Sequence, residues 1–265
     1  MRVGAHIAEA LIVHDLASKS DARARSIELL RAVRADSQKH GVEIHLESDL
    51  DPERLVAFLD RVGDPWLKLT YDVGANWKIV AENYSECYHC PPVHPLLNKL
   101  TPYDLGEDFL ADGPWKGGWM VFADGCETMS MDGKRGGRPL LYARDEVEAR
   151  RIFYYILWPN LIVSVHPDYV LTHQAWPDGP NRSTVHCDLY VEAADLGTVD
   201  VSGAVEFWDI TNREDYHVVE MQQQGTRSRS WTAGRYSNQE ASVHAFDLMV
   251  ADRYAMDGVR TVRGW

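Results

Sequence analysis

The sequence predicts an α+β fold, an antiparallel sheet with a long C-terminal helix packed on it. Two features predict it. From Arg151 onward, four apolar runs rich in β-branched and aromatic residues follow one another: RIFYYILW, LIVSVH, YVLTHQAW and STVHCDLYVE. Turn signals at Pro159-Asn160, Pro167-Asp168 and 178–181 (DGPN) separate them, and connections this short make antiparallel neighbours. A helical pattern then runs from about Ser202 to Gln224 and closes at Gly225. Strands first and a long helix after them is the α+β arrangement.

The remaining elements follow in chain order. Residues 1–42 are rich in Ala, Arg, Ser and Glu, and Ile27, Leu30 and Val33 have helical spacing, so this stretch is expected to be a helical segment. Asp51 caps and Pro52 opens a short helix over ERLVAFLDRV. Trp66 to Val73 alternates as a half-buried strand does. A helix from about Asn76 to Cys90 comes next. Residues 101–150 are Gly- and Asp-rich and predict long loops with strand pieces such as Gly118 to Ala123.

Bulk properties narrow the function. The chain has 265 residues, 45% of them hydrophobic, which suffices for a sizeable core in one large domain or two small ones. Its 27 Lys and Arg against 40 Asp and Glu leave a net charge of -13, a field that repels nucleic acid and anionic lipid. The longest apolar run, Tyr154 to Val165, is broken by Pro159 and Asn160 and cannot span a bilayer. His6, Glu9 and Asp15 spoil a secretory signal, and four cysteines do not describe an oxidised framework. A reduced, cytoplasmic protein is expected.

The chemistry concentrates in ANWKIVAENYSECYHCPPVHP, Ala75 to Pro95. On a helical wheel Trp77, Val80, Ala81, Tyr84 and Tyr88 form a face that can dock on the sheet. Glu82, Glu86 and His89 gather on another, with Asn83 at its edge. Pro91-Pro92 stops the helix, so His94 lies past a forced turn and can fold back toward His89. Two imidazoles held this way are half of a metal site, although such a pair is also what ordinary surface or core histidines look like. Cys87 and Cys90 form a C-x-x-C, the spacing of a redox pair or of half a zinc site, with no second pair to complete the latter. They are expected to be small core and shell residues.

The last helix supplies the third group. Asp209, Arg213, His217, Glu220 and Gln224 fall on its solvent side, and Trp208, Thr211, Asn212, Asp215, Val218, Val219 and Gln222 on the inward one. An inward Asp215 needs a cation or several donors. An internal Lys or Arg would serve. With His89 and His94 it would instead complete a two-histidine, one-carboxylate set that leaves iron(II) positions open. Zinc, and with it hydrolysis, is the rival for the same ligands.

NWKIVAENYSECYHCPPVHP resembles the iron-binding segment of the large (alpha) subunit of Rieske-type non-heme iron ring-hydroxylating oxygenases. EFWDITNREDYHVVEMQQQG (206–225) resembles the helix carrying that family's third ligand, and SRSWTAGRYSNQEASVHAFDLMV (228–250) its closing segment. The branch that includes glycine betaine and choline monooxygenase-type subunits is the most similar. The resemblance covers residues 43–265 and leaves 1–42 unmatched. It implies a helix-grip fold, a curved antiparallel sheet around a long helix. It also implies mononuclear Fe(II) at His89, His94 and Asp215, Asn83 close to the iron, and Glu86 bridging to a neighbouring subunit's Rieske-ligand histidine. The implied activity is mono- or dioxygenation of a small aromatic or quaternary-ammonium substrate with O2. Electrons would come from a Rieske or ferredoxin-type donor, and the assembly would be a homotrimer.

One departure stands beside that match. A Rieske [2Fe–2S] cluster needs C-x-H and C-x-x-H pairs. The sequence contains no C-x-x-H, and in Cys87-x-His89 the histidine is already engaged. Electrons would therefore arrive from another polypeptide. A truncated product, half of a split enzyme and a member without oxygenase activity all fit, as does a non-catalytic helix-grip ligand-binding or structural subunit. The sheet aromatics Phe153, Tyr154, Tyr155 and Trp158 and the loop residues Trp115 and Trp119 are candidate pocket walls.

Overall fold

A computed structural model describes residues 67–109, 115–141, 146–192 and 197–256. The expected segment 1–42, the short helix after Asp51 and the 43–66 junction lie outside the described residues. Within them, seven strands form one sheet in the order β1-β7-β6-β5-β4-β3-β2. They are β1 (Leu67–Val73), β2 (Gly106–Phe109), β3 (Trp115–Val121), β4 (Arg151–Leu157), β5 (Leu161–Val165), β6 (Val170–Pro177) and β7 (Ser183–Tyr190). All neighbours are antiparallel. β2 to β7 form a meander, and β1, the first strand of the set, closes onto the last by pairing Leu67 with Leu189 and Val73 with Ser183. The four predicted strands after Arg151 are all present.

Between β1 and β2 lie α1 (Trp77–Tyr84), α2 (Cys90–Val93) and α3 (Pro95–Leu100). α4 (Ser202–Thr226) and α5 (Ala241–Met256) follow the sheet. α4 is 25 residues long and runs through Gly225, which does not cap it. Its Phe207, Trp208, Tyr216 and Val219 join Tyr71, Val73, Leu171, Val185 and Leu189 of the sheet in the main core. Each such side chain contributes about 1.5–3 kcal/mol on full burial, which is what seats the helix. A smaller cluster of Ala81, Ile156, Ile162 and Phe246 packs α1 and α5 on β4 and β5.

Several expectations need correction. β2, α3 and α5 were not predicted, because short or weakly amphipathic segments carry little periodic signal. Trp115, expected in a loop, stands on β3, which begins three residues before the expected strand piece that holds Trp119. On α4 it is Gln223 that is buried, and Gln222 is exposed. The helix expected to reach Cys90 ends at Tyr84. Ser85 turns back, its amide bonding Glu82 O at 2.9 Å and its hydroxyl Ala81 O at 2.5 Å. Tyr88 is therefore exposed and does not dock. Pro91 and Pro92 open α2 and Pro95 opens α3, first-turn positions where a missing N–H costs nothing. Cys87 and Cys90 form a disulfide, against the reduced pair expected from the sequence. The two are three residues apart, with Cα atoms 5.0 Å from one another.

Two antiparallel contacts fix α1 against α4. At one end the amide of Asn76, the N-cap of α1, donates to Gln223 Oε1 at 2.8 Å. Next to it Gly74 N donates to Glu220 Oε1 at 2.8 Å. At the other end Asn83 Nδ2 donates to Asp215 Oδ1 at 2.6 Å. Seven residues on one helix and eight on the other span about 11–12 Å, so the two helices share one length between their ties.

Candidate metal centre

α4 presents Asp215 toward α1 from a buried stripe, and the α1–α3 segment delivers both histidines to it. His94 is the residue between α2 and α3, held by its amide bond to Cys90 O at 2.7 Å and almost fully buried. Its Nε2 lies 2.8 Å from Asp215 Oδ1, and His89 Nε2 lies 3.5 Å from the same oxygen. One donor atom from each of the three residues falls within 4.8 Å of the others. Donors bound side by side to one metal at about 2.0–2.2 Å stand roughly 3 Å apart, so the observed spacing fits a shared ion. The set is the two-histidine, one-carboxylate donor group that suits non-heme iron(II), and its ligand types also admit zinc.

The far nitrogen of each ring is also engaged. His89 Nδ1 pairs with Glu86 Oε1 at 2.5 Å and His94 Nδ1 with Glu214 Oε2 at 2.8 Å. When Nδ1 donates to a carboxylate, Nε2 keeps its lone pair for a metal, and the ring is fixed in orientation. Burial alone would lower the His89 imidazole, but the Asp215 and Glu86 carboxylates outweigh it and raise it to about 9. His94 is raised likewise by Asp215 and Glu214 against its burial. Burial pushes Asp215 upward, yet the two imidazoles prevail and hold it down at about 2. Without a metal, the three residues are a proton-bridged cluster.

The cluster lines a cavity of about 370 Å³. Tyr84, Trp119, Tyr154, Tyr155 and Trp208 contribute aromatic wall, and Lys116 is its one Lys or Arg. Of the expected walls, Trp115, Phe153 and Trp158 are not among the lining residues. Trp115 packs on Tyr155 and Trp158 on Trp77.

The residue segment 65–256 matches the family described as ring hydroxylating alpha subunit (catalytic domain). The chain belongs to this family. It is 28% identical to the glycine betaine monooxygenase oxygenase subunit of Pseudomonas aeruginosa (strain UCBPP-PA14), over 64% of this chain and 47% of that protein. Against the carnitine monooxygenase oxygenase subunit of Acinetobacter baumannii the identity is 24%, over 59% of this chain and 39% of that one. The chain thus spans about half the length, or less, of these curated relatives. Among solved structures, a quaternary ammonium Rieske monooxygenase superposes with a TM-score of 0.59 at 22% identity, covering 80% of this chain and 56% of that one. That likeness supports the curved-sheet fold.

The structure brings together His89, His94, Asp215, Asn83 and Glu86. It removes Glu82 from the group: that carboxylate is buried, which together with Asp247 raises it to about 7 against the pull of Lys78 and Lys116. Glu214 was missed. A residue next to a ligand on a helix is rotated by about 100° and ordinarily points elsewhere. Only His94, arriving from the flank, brings an imidazole within its reach. An acid beside a candidate ligand was the one available signal.

Proposed function

We propose that the chain is an oxygenase catalytic domain, occupying residues 43–265. It holds mononuclear iron(II) through His89, His94 and Asp215 and hydroxylates a small organic substrate. The observation that carries this reading is the aim of two Nε2 atoms at one Asp215 oxygen, each ring backed by its own carboxylate, at the wall of a cavity lined in part by aromatic side chains. Iron(II) in such a set supplies open coordination positions at which dioxygen and substrate meet. Asn83 orients the Asp215 carboxylate.

The substrate class is a small quaternary-ammonium or aromatic molecule, supported by the likeness to glycine betaine and carnitine monooxygenase subunits. Aromatic faces attract a trimethylammonium group. Electrons come from a Rieske centre on another polypeptide, with Glu86 the relay that joins it to His89 across a subunit boundary in a homotrimer. Its bond to His89 Nδ1 supports this role. The relatives include proteins described as oxygenase subunits, which fits a division of labour between chains.

Elemental analysis of protein purified anaerobically with iron supplied tests the reading. Near-stoichiometric iron in the parent, and none in Asp215→Ala or the His89→Ala/His94→Ala double variant, is expected. Glu86→Gln should keep its iron and lose turnover with a supplied Rieske partner. Zinc in its place would point to hydrolysis, and a metal-free parent to a non-catalytic binding subunit.

A further inference from the structure

The Cys87–Cys90 disulfide encloses the metal-ligating His89 and lines the same cavity as His89, His94 and Asp215. The Cys90 sulfur lies 3.9 Å from His89 Nε2, the nitrogen that faces the metal position. A sulfur and a nitrogen bound side by side to one ion at about 2.3 and 2.1 Å stand roughly 3 Å apart, so about 1 Å separates this sulfur from ligand distance. While bridged to Cys87 it is a poor ligand. Free, it is the soft donor that favours zinc and related ions.

We propose that the Cys87–Cys90 bridge is a redox gate on the metal site. Closed, it withholds the Cys90 sulfur and leaves a three-donor set with open positions. Opened by a dithiol reductant, it releases a fourth donor that fills one of them. Cys87 is partly exposed and Cys90 buried, which fixes the direction of opening. A dithiol sulfur attacks Cys87, and the Cys87–Cys90 bond breaks with the electron pair leaving on Cys90. The second dithiol sulfur then displaces Cys87. The protein gains two electrons and two protons, and the reductant leaves as its own cyclic disulfide. A four-donor site of this kind is closed, as structural zinc sites are, where catalytic sites keep a position free. The gate therefore switches the site off under strongly reducing conditions. It rests on the proposed metal site, and the test separates the two.

Cobalt(II) is the probe, read by absorption on the full chain, with Cys87→Ser and Cys90→Ser beside the parent. Oxidised parent should bind cobalt with weak visible bands and no sulfur-to-cobalt charge transfer. Dithiol-treated parent and Cys87→Ser should both gain the charge-transfer band, and reduced Cys90→Ser should not. Alkylation should spare Cys87 and Cys90 in the untreated parent until a dithiol is added. Visible bands without charge transfer in both reduced parent and Cys87→Ser would overturn the gate and leave the metal site standing. Alkylation of both cysteines without reductant would also overturn it. No cobalt bands in any sample would remove the metal site itself, and the gate with it.

Discussion

His94 Nδ1 lies 2.8 Å from Glu214 Oε2 while the opposite nitrogen of the same ring lies 2.8 Å from Asp215 Oδ1, so adjacent residues of one helix grip one imidazole from both sides. Glu214 thereby favours the tautomer that leaves Nε2 free for a metal. Glu214→Ala should lower iron(II) affinity about 10–100-fold, the usual effect of losing an outer carboxylate. Its side chain is half-buried at the helix surface, so thermal stability should change little. An unchanged metal titration would deny Glu214 this role.

Metal affinity should rise with pH. A metal needs Nε2 of His89 without its proton, and the carboxylates hold that proton to about 9. Below that value each pH unit should cost about tenfold in apparent affinity, and binding should release a proton. Stability of the metal-free protein should run the other way. The folded value, about 9, lies above the ordinary 6.5, so the stabilisation is complete below 6.5 and is lost as the pH rises through about 9. Thermal melts with a chelator, beside metal titrations in the same buffers, check both slopes. Parallel trends would contradict the proton-bridged cluster.

Gly117 should resist substitution. A Cβ there would stand 2.4 Å from Tyr154 O and 2.7 Å from Tyr155 Cδ1, and the first of these is backbone that cannot rotate away. Gly117→Ala should cost about 1–3 kcal/mol or more by overpacking. Because Gly117 lines the cavity, it should also narrow it. Denaturant unfolding reads the first effect; equal midpoints would mean that β3 shifts freely.

Arg138 and Asp168 pair at 2.7 Å and are almost wholly buried, with Thr128 Oγ1 donating a second bond to the carboxylate at 2.5 Å. The pair joins the 123–141 loop to the β5–β6 turn. Arg138→Met would leave Asp168 buried without its cation, at a cost of about 3–5 kcal/mol. Metal affinity of the folded fraction should stay unchanged. A variant as stable as the parent would show that Asp168 takes up a proton at little cost.

Legibility from sequence followed the strength of the local pattern. β4 to β7 could be read because alternating β-branched runs and proline turns say the same thing. α4 could be read from its two faces, which also placed Asp215 inward. The α1–α3 segment shows the limit. The wheel that brought Glu82, Glu86 and His89 together assumed a helix that in fact ends at Tyr84. They meet instead through a loop in which His89 Nδ1 reaches back to Glu86. Such a loop is set by the Ser85 back-bond and the disulfide, local contacts without periodicity. Glu214 and β2 were hidden for another reason: what defines them lies on other segments.

The pairing of β1 with β7 has a consequence for how the protein is made. His89 and His94 leave the ribosome well before Asp215, with the whole meander synthesised between them. Until α4 is made, the emerging chain has two imidazoles and no carboxylate on α4 to share an ion with, and until β7 is made its β1 has no strand beside it. Long-range closure of this kind comes late and slowly. Assembly of the complete His89, His94 and Asp215 donor set is therefore confined to the finished fold.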